Sequence, residues 1–463
     1  MKKDDKENIQ IPLLNLEVDV LKKDTMNIFS AKESKEGCPM AEEGRGVNPP
    51  QGASCGSSGN AEKRCDLSPS TKEDRQEIFI PVSGFVWLYP EEIKVLNHPA
   101  VQRLGNIYQL GHTFLVYRGA THKRLEHAIG TLHVVQRMID AVNHNCDKDN
   151  KKNNRERLDG GHGIKIKPNE ERFIRLGALL HDIGHIAFGH TIEDELCLVN
   201  KHDSDARLNL IFKDDDKKWV DADGKTLGVL IDEEFRQYVP NKLLSVCNAS
   251  TIVHLLINKP PEKDKTEKDK SEWLEIIRKT LQESFSLRLE ICRDMIGNTI
   301  CADILDYIHR DWYHIGKPKT FDERILQYME VTGDKKDAKG NPIANSEDKF
   351  VISLGKRPKI RTDAISAILE LLEWRYHIAE SVLFHRTKLA ASAMLDRALY
   401  ELWKDGQSNE KFEKHILPLS EEQLLSMCLE ESATTMNNTE VSDGIRNSAK
   451  TANRLFSARH IQH

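Results

Sequence analysis

Residues 181 to 190, His-Asp-Ile-Gly-His-Ile-Ala-Phe-Gly-His, place three histidines and an aspartate within ten positions, directly after the apolar run Leu176 to Leu180. Imidazole and carboxylate are ligands for borderline or hard divalent cations, and His181 beside Asp182 can chelate one ion from a single helix end. His185 and His190 are then available as proton donors. A lone histidine on an apolar face is usually a core residue satisfied by a hydrogen bond. Three with an aspartate at this spacing point instead to a metal-centred hydrolytic site. The competing reading is the zinc-protease helix His-Glu-x-x-His, which His181, Asp182 and His185 imitate. Gly184 weakens the helix that motif depends on, and the extended protease form has glycine where this chain has Phe188.

The elements that must hold these residues are mostly helices. From Ile93 onward apolar residues recur three and four apart, as in Leu132, Val135, Met138, Ile139 and Val142. Before them, the β-branched and aromatic residues of Ile78 to Leu88, around Ser83-Gly84, predict a small hairpin. Pro90, followed by Glu91 and Glu92, opens a helix with carboxylates near its positive end. Three hydrophilic stretches, near residues 146–167, 259–271 and 333–348, read as solvated loops. One long helix is predicted from about Ala364 to Trp403. The expected architecture is all-α, a multi-helix bundle with a small N-terminal β-hairpin. Its parts are a disordered leader over residues 1–74, a catalytic domain over 75–405, and a helical to weakly ordered C-terminal extension over 406–463.

Composition narrows the function classes. Of 463 residues, 39% are hydrophobic and 30% charged, as in a soluble protein with long solvated insertions. No apolar stretch approaches the length of about 20 residues that crosses a bilayer, and the first five residues lead into no signal-peptide core. The expectation is a cytoplasmic protein without a membrane partner. Nine cysteines, scattered and without a Cys-x-x-Cys pair, read as free thiols. A net charge of −6 gives no global attraction to nucleic acid, although a local basic groove would not show in the total.

Two further motifs flank the central one. Gly119-Ala-Thr-His-Lys-Arg-Leu-Glu-His-Ala-Ile-Gly130 brings His127, with Arg124 one helical turn before it. Far downstream, Asp303, Tyr307 and Asp311 recur every four residues, so a helix aligns them on one face. An ordinary amphipathic helix with a polar stripe is the bland alternative. Arg310 and His314 make the segment unusually rich in reactive side chains.

Together with Pro99-Ala-Val-Gln-Arg-Leu104 and Gln109-Leu-Gly111, these motifs make the chain resemble the HD-domain phosphohydrolases over roughly residues 78–400. Within that superfamily it is similar to the deoxynucleoside triphosphate (dNTP) triphosphohydrolases, of the bacterial dGTPase and animal sterile-alpha-motif/HD types. The resemblance implies hydrolysis of a dNTP at the α-phosphate, releasing deoxynucleoside and inorganic triphosphate. It makes His127, His181, Asp182 and Asp303 the ligands of one divalent ion, which the mixed donors leave open among manganese, magnesium, iron and zinc. His190 and Glu193 match a proton-transfer pair, with His185 beside them. Arg124 becomes a phosphate clamp, Gln109 and Leu110 fall where the sugar is checked, and Tyr307 and Asp311 would touch sugar and phosphates. His202 matches a further active-site histidine, or is an exposed histidine between Lys201 and Asp203. Such enzymes commonly form homo-oligomers, from dimers to hexamers.

The departures are specific. Pro81-Val-Ser-Gly84 replaces an Asp-Pro-Val/Ile-His-Gly signature, Ile304 a triphosphate-binding lysine, and Leu383 a substrate-stacking tyrosine. Asn97 and Gly105 replace residues associated with nucleotide activation. Losing the lysine removes a point charge from phosphate binding. Three sister activities therefore stay open: nucleotide monophosphatase, phosphodiesterase and single-strand nuclease. So does a non-catalytic regulatory or nucleic-acid-binding HD protein.

Overall fold

The computed structural model describes residues 71–151, 163–195, 199–258, 268–319, 324–333, 348–356, 359–403 and 409–436. The leader expected over residues 1–74 lies outside these, apart from a 3-10 turn at Lys72–Asp74 and its flanking Thr71. Most of the three hydrophilic stretches and the last 27 positions also lie outside them.

The described chain begins with an antiparallel hairpin, β1 (Gln76–Ile80) against β2 (Gly84–Leu88), with Ile78 opposite Val86. Two further two-stranded sheets, not anticipated from the sequence, flank the third hydrophilic stretch. They are β3 (Met329–Thr332) with β4 (Lys349–Ile352), and β5 (Gly355–Lys356) with β6 (Lys359–Ile360). Strands this short carry too little alternation to register as a pattern.

The rest is helical. α1 (Pro90–Leu96) starts as its composition dictates: proline in the first turn, and the Glu92 carboxylate accepting from the Tyr89 amide at 2.9 Å. α2 (Pro99–Gln102) leads through short 3-10 turns into α3 (Arg124–Lys151), which packs along α4 (Pro168–Leu180) and α10 (Ala302–His314). α4 is buried on every side from Glu170 to Leu180, which makes it the central helix of the bundle. Between α4 and α10 lie α5 (Asp205–Phe212), α6 (Leu227–Glu234), α7 (Ala249–Ile257), α8 (Lys268–Ser284) and α9 (Leu289–Ile296). The short α11 (Arg324–Gln327) precedes β3.

The single helix expected from Ala364 to Trp403 is two, α12 (Thr362–Ile378) and α13 (Arg386–Trp403). A π-turn at Ala379–Leu383 separates them, with the Phe384 amide reaching back to the Ala379 carbonyl at 2.9 Å. The Ser381 hydroxyl donates to the His377 carbonyl at 2.6 Å, a back-bond of the kind that bends helices. α14 (Asn409–Ile416) and α15 (Glu421–Met436) follow, and their Phe412, Ile416 and Leu424 join the same hydrophobic core as α3 and α4. No described helix is long and apolar enough to cross a membrane. The five described cysteines form no disulfide.

Candidate active site

Three helix ends converge on one point. His127 lies one turn into α3, His181 caps the C-terminus of α4, and Asp303 sits in the first turn of α10. His127 Nε2 is 3.2 Å from His181 Nε2 and 3.1 Å from Asp303 Oδ1, and His181 Nε2 is 3.7 Å from the same oxygen. Asp182 adds Oδ1 at 3.4 Å from His181 Nε2 and Oδ2 at 3.9 Å from His127 Nε2. The other ring nitrogens are tied back into the protein, His127 Nδ1 to Asp306 Oδ2 at 2.9 Å and His181 Nδ1 to the Ala178 carbonyl at 2.8 Å. Such outer bonds fix the tautomer in which Nε2 presents its lone pair to a metal. The donors are two imidazole nitrogens and carboxylate oxygens, a set that suits a divalent ion.

The electrostatics agree with that fit. Burial disfavours a charged His127, yet Asp303 and Asp306 outweigh it and push the ring up to about 10. Burial likewise works against an ionised Asp303, but His127 and His181 hold it down at about 2. The Asp303 and Asp306 carboxylates at 3.1 and 2.9 Å from the buried His127 ring give the site the negative potential a dication would fill.

A second group lies beyond Asp182. His185 Nε2 is 3.4 Å from Asp182 Oδ1, and its ring stacks on His202 at 3.7 Å. His202 Nδ1 is 3.0 Å from Glu193 Oε2, and His190 stands edge-on to His185 and His202 at 4.9 and 5.6 Å. Burial, then Arg124 and His202, hold His185 well below the usual imidazole range, so it is neutral. Burial opposes charge on His202, but the Glu193 hydrogen bond prevails and raises it. Gly184 follows from the same packing: the His202 carbonyl lies where a Cβ at 184 would stand. Phe188 has left-handed backbone (φ 54°), rare for a bulky residue, and stacks on His112 at 4.1 Å just before His190.

Both groups face a cleft of about 520 Å³. Arg124, Asp182, His185, His190, His202, Asp303, Tyr307, Asp311, Gln109 and Leu110 all line it, while His127, His181 and Glu193 lie behind that surface. Arg124 Nη1 is bonded to Asp182 Oδ2 at 2.8 Å, so the expected phosphate clamp also orients a metal-ligand candidate. Burial pushes the Tyr307 hydroxyl up to about 12, which keeps it a neutral donor. Ile304 is buried away from the cleft, whereas Leu383 lines it.

Several residues that line the cleft or support its walls were missed by sequence reasoning. Asp306 could have been found from its helical spacing to Arg310; the two are joined by paired bonds of 2.8 Å. His122, which bonds Asp311 at 2.8 Å, and Phe384 and Lys388, which line the cleft, carried no such signal.

Comparison with known proteins finds distant relatives. The deoxynucleoside triphosphate triphosphohydrolase SAMHD1 of Bos taurus is 26% identical over 274 residues, 58% of this chain and 41% of that protein. The uncharacterized protein YwfO of Bacillus subtilis is 25% identical over 340 residues, 72% of this chain and 57% of its own length. A putative HD domain-containing protein of Acanthamoeba polyphaga mimivirus, L394, is 33% identical over 115 residues, 25% of this chain and 24% of that one. The matched span covers about two fifths of the length of the Bos taurus and Xenopus laevis relatives. No family model matches the chain. These similarities support a relationship to HD-domain proteins of the dNTPase kind.

Proposed function

We propose that this relative of the HD-domain dNTPases is a metal-dependent phosphohydrolase that cleaves a deoxynucleoside triphosphate to deoxynucleoside and inorganic triphosphate. The observation that carries the reading is the meeting of two groups at one cleft, the His127, His181 and Asp303 donors and the His185, His190, Glu193 and His202 cluster, with Asp182 shared between them. His127, His181, Asp182 and Asp303 would hold one divalent ion. When bound, it supplies Lewis-acid activation of water and of the phosphate.

In the reaction, water adds to the α-phosphorus as the bond from phosphorus to the 5′ oxygen breaks. That leaving oxygen needs a proton, and the His190, Glu193 and His202 group is the source. Glu193 holds charge on His202, which lines the cleft with a proton to give. His185, held neutral against Asp182, keeps the boundary between the metal donors and the proton donors. Arg124 and Lys388 supply the cationic groups that offset charge developing on the phosphates. Lys388 thus offers the positive charge that position 304 lacks. Gln109 and Leu110, with Tyr307 and Asp311, would contact the sugar and phosphates from the same cleft.

The test is hydrolysis of the four dNTPs, nucleoside monophosphates, a cyclic nucleotide and single-stranded oligonucleotides, with manganese, magnesium, iron or zinc. Wild type is compared with the double variant His181→Ala/Asp182→Ala. Inorganic triphosphate is expected from wild type and at least 1,000-fold less from the variant, on the order of the loss when an essential catalytic group is removed. Variant-sensitive release from another phosphoester would overturn the dNTP reading and keep the phosphohydrolase. Homo-oligomer formation is read from the elution volume of the same preparations.

A further inference from the structure

We propose that Arg207 and Glu413 are positioning residues for the proton-transfer group, which makes the C-terminal helix α14 part of the active site. The proposal rests on the phosphohydrolase reading above. Arg207, on α5, has no exposed surface. Its Nη1 donates to the Gly184 carbonyl at 2.8 Å and to Glu193 Oε1 at 3.4 Å, and its Nη2 donates to the Asn200 carbonyl at 2.8 Å. Its Nε donates to Glu413 Oε1. Glu413, 1% exposed, also accepts from the Asn200 side-chain amide at 2.7 Å through Oε2.

One guanidinium therefore gathers three segments that matter. Gly184 precedes His185, Asn200 lies two residues before His202, and Glu193 is bonded to His202 itself. Acidic and basic side chains alternate along the row: Glu413, Arg207, Glu193, His202. Without Glu413, the whole charge of Arg207 would fall on Glu193 and draw its carboxylate away from His202. Glu413 thus sets how much of the Glu193 charge is presented to the imidazole that faces the cleft. The row meets the metal donors only at its far end, where His202 lies near Asp182 and His185, so manganese content is measured beside kcat to tell an effect on proton transfer from one on ion binding.

A structural role and a positioning role give different results. Buried ion pairs can often be replaced by apolar residues of similar volume without loss of stability. The double variant Arg207→Met/Glu413→Met removes the row while filling its space, and Glu413→Gln removes one charge and retains the shape. Each is measured for melting temperature, bound manganese per chain, kcat and KM on the best substrate of the panel, and the proton resonance of the His202 ring N–H. The signal is assigned by its loss in His202→Gln. We expect a folded double variant with wild-type manganese content and a melting temperature lowered by its unpaired Gly184 and Asn200 carbonyls, kcat per folded chain at least tenfold lower, KM within threefold, and a moved His202 resonance in both variants.

A folded, metal-loaded double variant with kcat within twofold of wild type overturns the proposal. So does a loss of kcat that only follows the folded fraction. Should the double variant not fold, Glu413→Gln decides: a tenfold fall in kcat supports positioning, and unchanged kcat removes it. If wild type hydrolyses nothing in the panel, the phosphohydrolase reading fails on its own. The row is then judged by the His202 resonance, which must move in Glu413→Gln for the proposal to stand.

Discussion

Asp306 shows how much of the character of His127, a candidate metal ligand, is decided by a residue outside the proposed ligand set. Its carboxylate takes His127 Nδ1 on one side and the Arg310 guanidinium on the other, all three fully buried. The Arg310 charge and the His127 hydrogen bond outweigh burial and hold Asp306 far below the usual carboxylate range. The Asp306 charge in turn makes the His127 Nε2 lone pair a stronger donor. Asp306→Asn keeps the shape and removes that charge. Manganese affinity is expected to fall about 10- to 100-fold, the usual effect of losing an outer-shell partner. A titration giving wild-type affinity would show that His127 is oriented by packing alone. At this scale the sequence was informative about types and spacing: His181-Asp182 stood out because ligand chemistry favours such a pair, and the family resemblance added His127 and Asp303. The partners of those residues were not legible. Whether Asp306 or some other acid meets His127 depends on where α10 crosses α3, which no local pattern contains.

That crossing is set at Gly130, three residues along α3 from His127. A Cβ at this position would fall on the Asp306 carboxylate and the Arg310 guanidinium, which lie flat against the α3 backbone. Helix propensity alone says that Gly130→Ala should stabilise α3, by about 1 kcal/mol. Overpacking says the opposite, by about 1–3 kcal/mol, because the two groups in the way are buried, bonded to each other and unable to swing aside. Packing is the larger effect here. Urea unfolding of Gly130→Ala should therefore give a lower midpoint than wild type, and a higher midpoint would mean that α10 can retreat freely. Helices themselves were readable from apolar spacing, as were the proline start of α1 and the single polar face of α10. The break between α12 and α13 was not. Its cause is a five-residue turn closed by the Phe384 amide, and helical periodicity continues on both sides of it. The turn delivers Leu383 and Phe384 to the cleft.

At the scale of the molecule, the C-terminal segment that reads as an appendage in the sequence supplies two buried carboxylates to the cleft's surroundings. Glu413 reaches Arg207, and Glu421, at the start of α15, accepts from the Tyr108 amide at 2.9 Å. Tyr108 begins the stretch through Gln109 and Leu110 that lines the cleft. Burial is the dominant influence on Glu421, stronger than its backbone hydrogen bonds, and pushes its carboxyl from an ordinary 4.5 up to about 7. A carboxyl whose pKa rises on folding binds its proton more tightly in the folded chain. Its contribution to stability is full below pH 4.5 and is lost as pH rises through 7. The difference between the two pKa values corresponds to about 3 kcal/mol. Glu421→Gln replaces the protonated form with a neutral isostere, so it should match wild type near pH 4.5 and exceed it by an amount approaching that figure above pH 7. Denaturant unfolding at several pH values, with wild type and variant in parallel, isolates this group from every other titrating residue. A difference that does not grow between pH 4.5 and 7 would mean that Glu421 is ionised in the fold, with its charge met by Lys123 and the amides around it. The expected slope also bears on the cleft. Near neutral pH the anchor of α15 carries a partial charge directly behind Tyr108, so the hold of the C-terminal segment on the cleft wall would weaken as that charge grows.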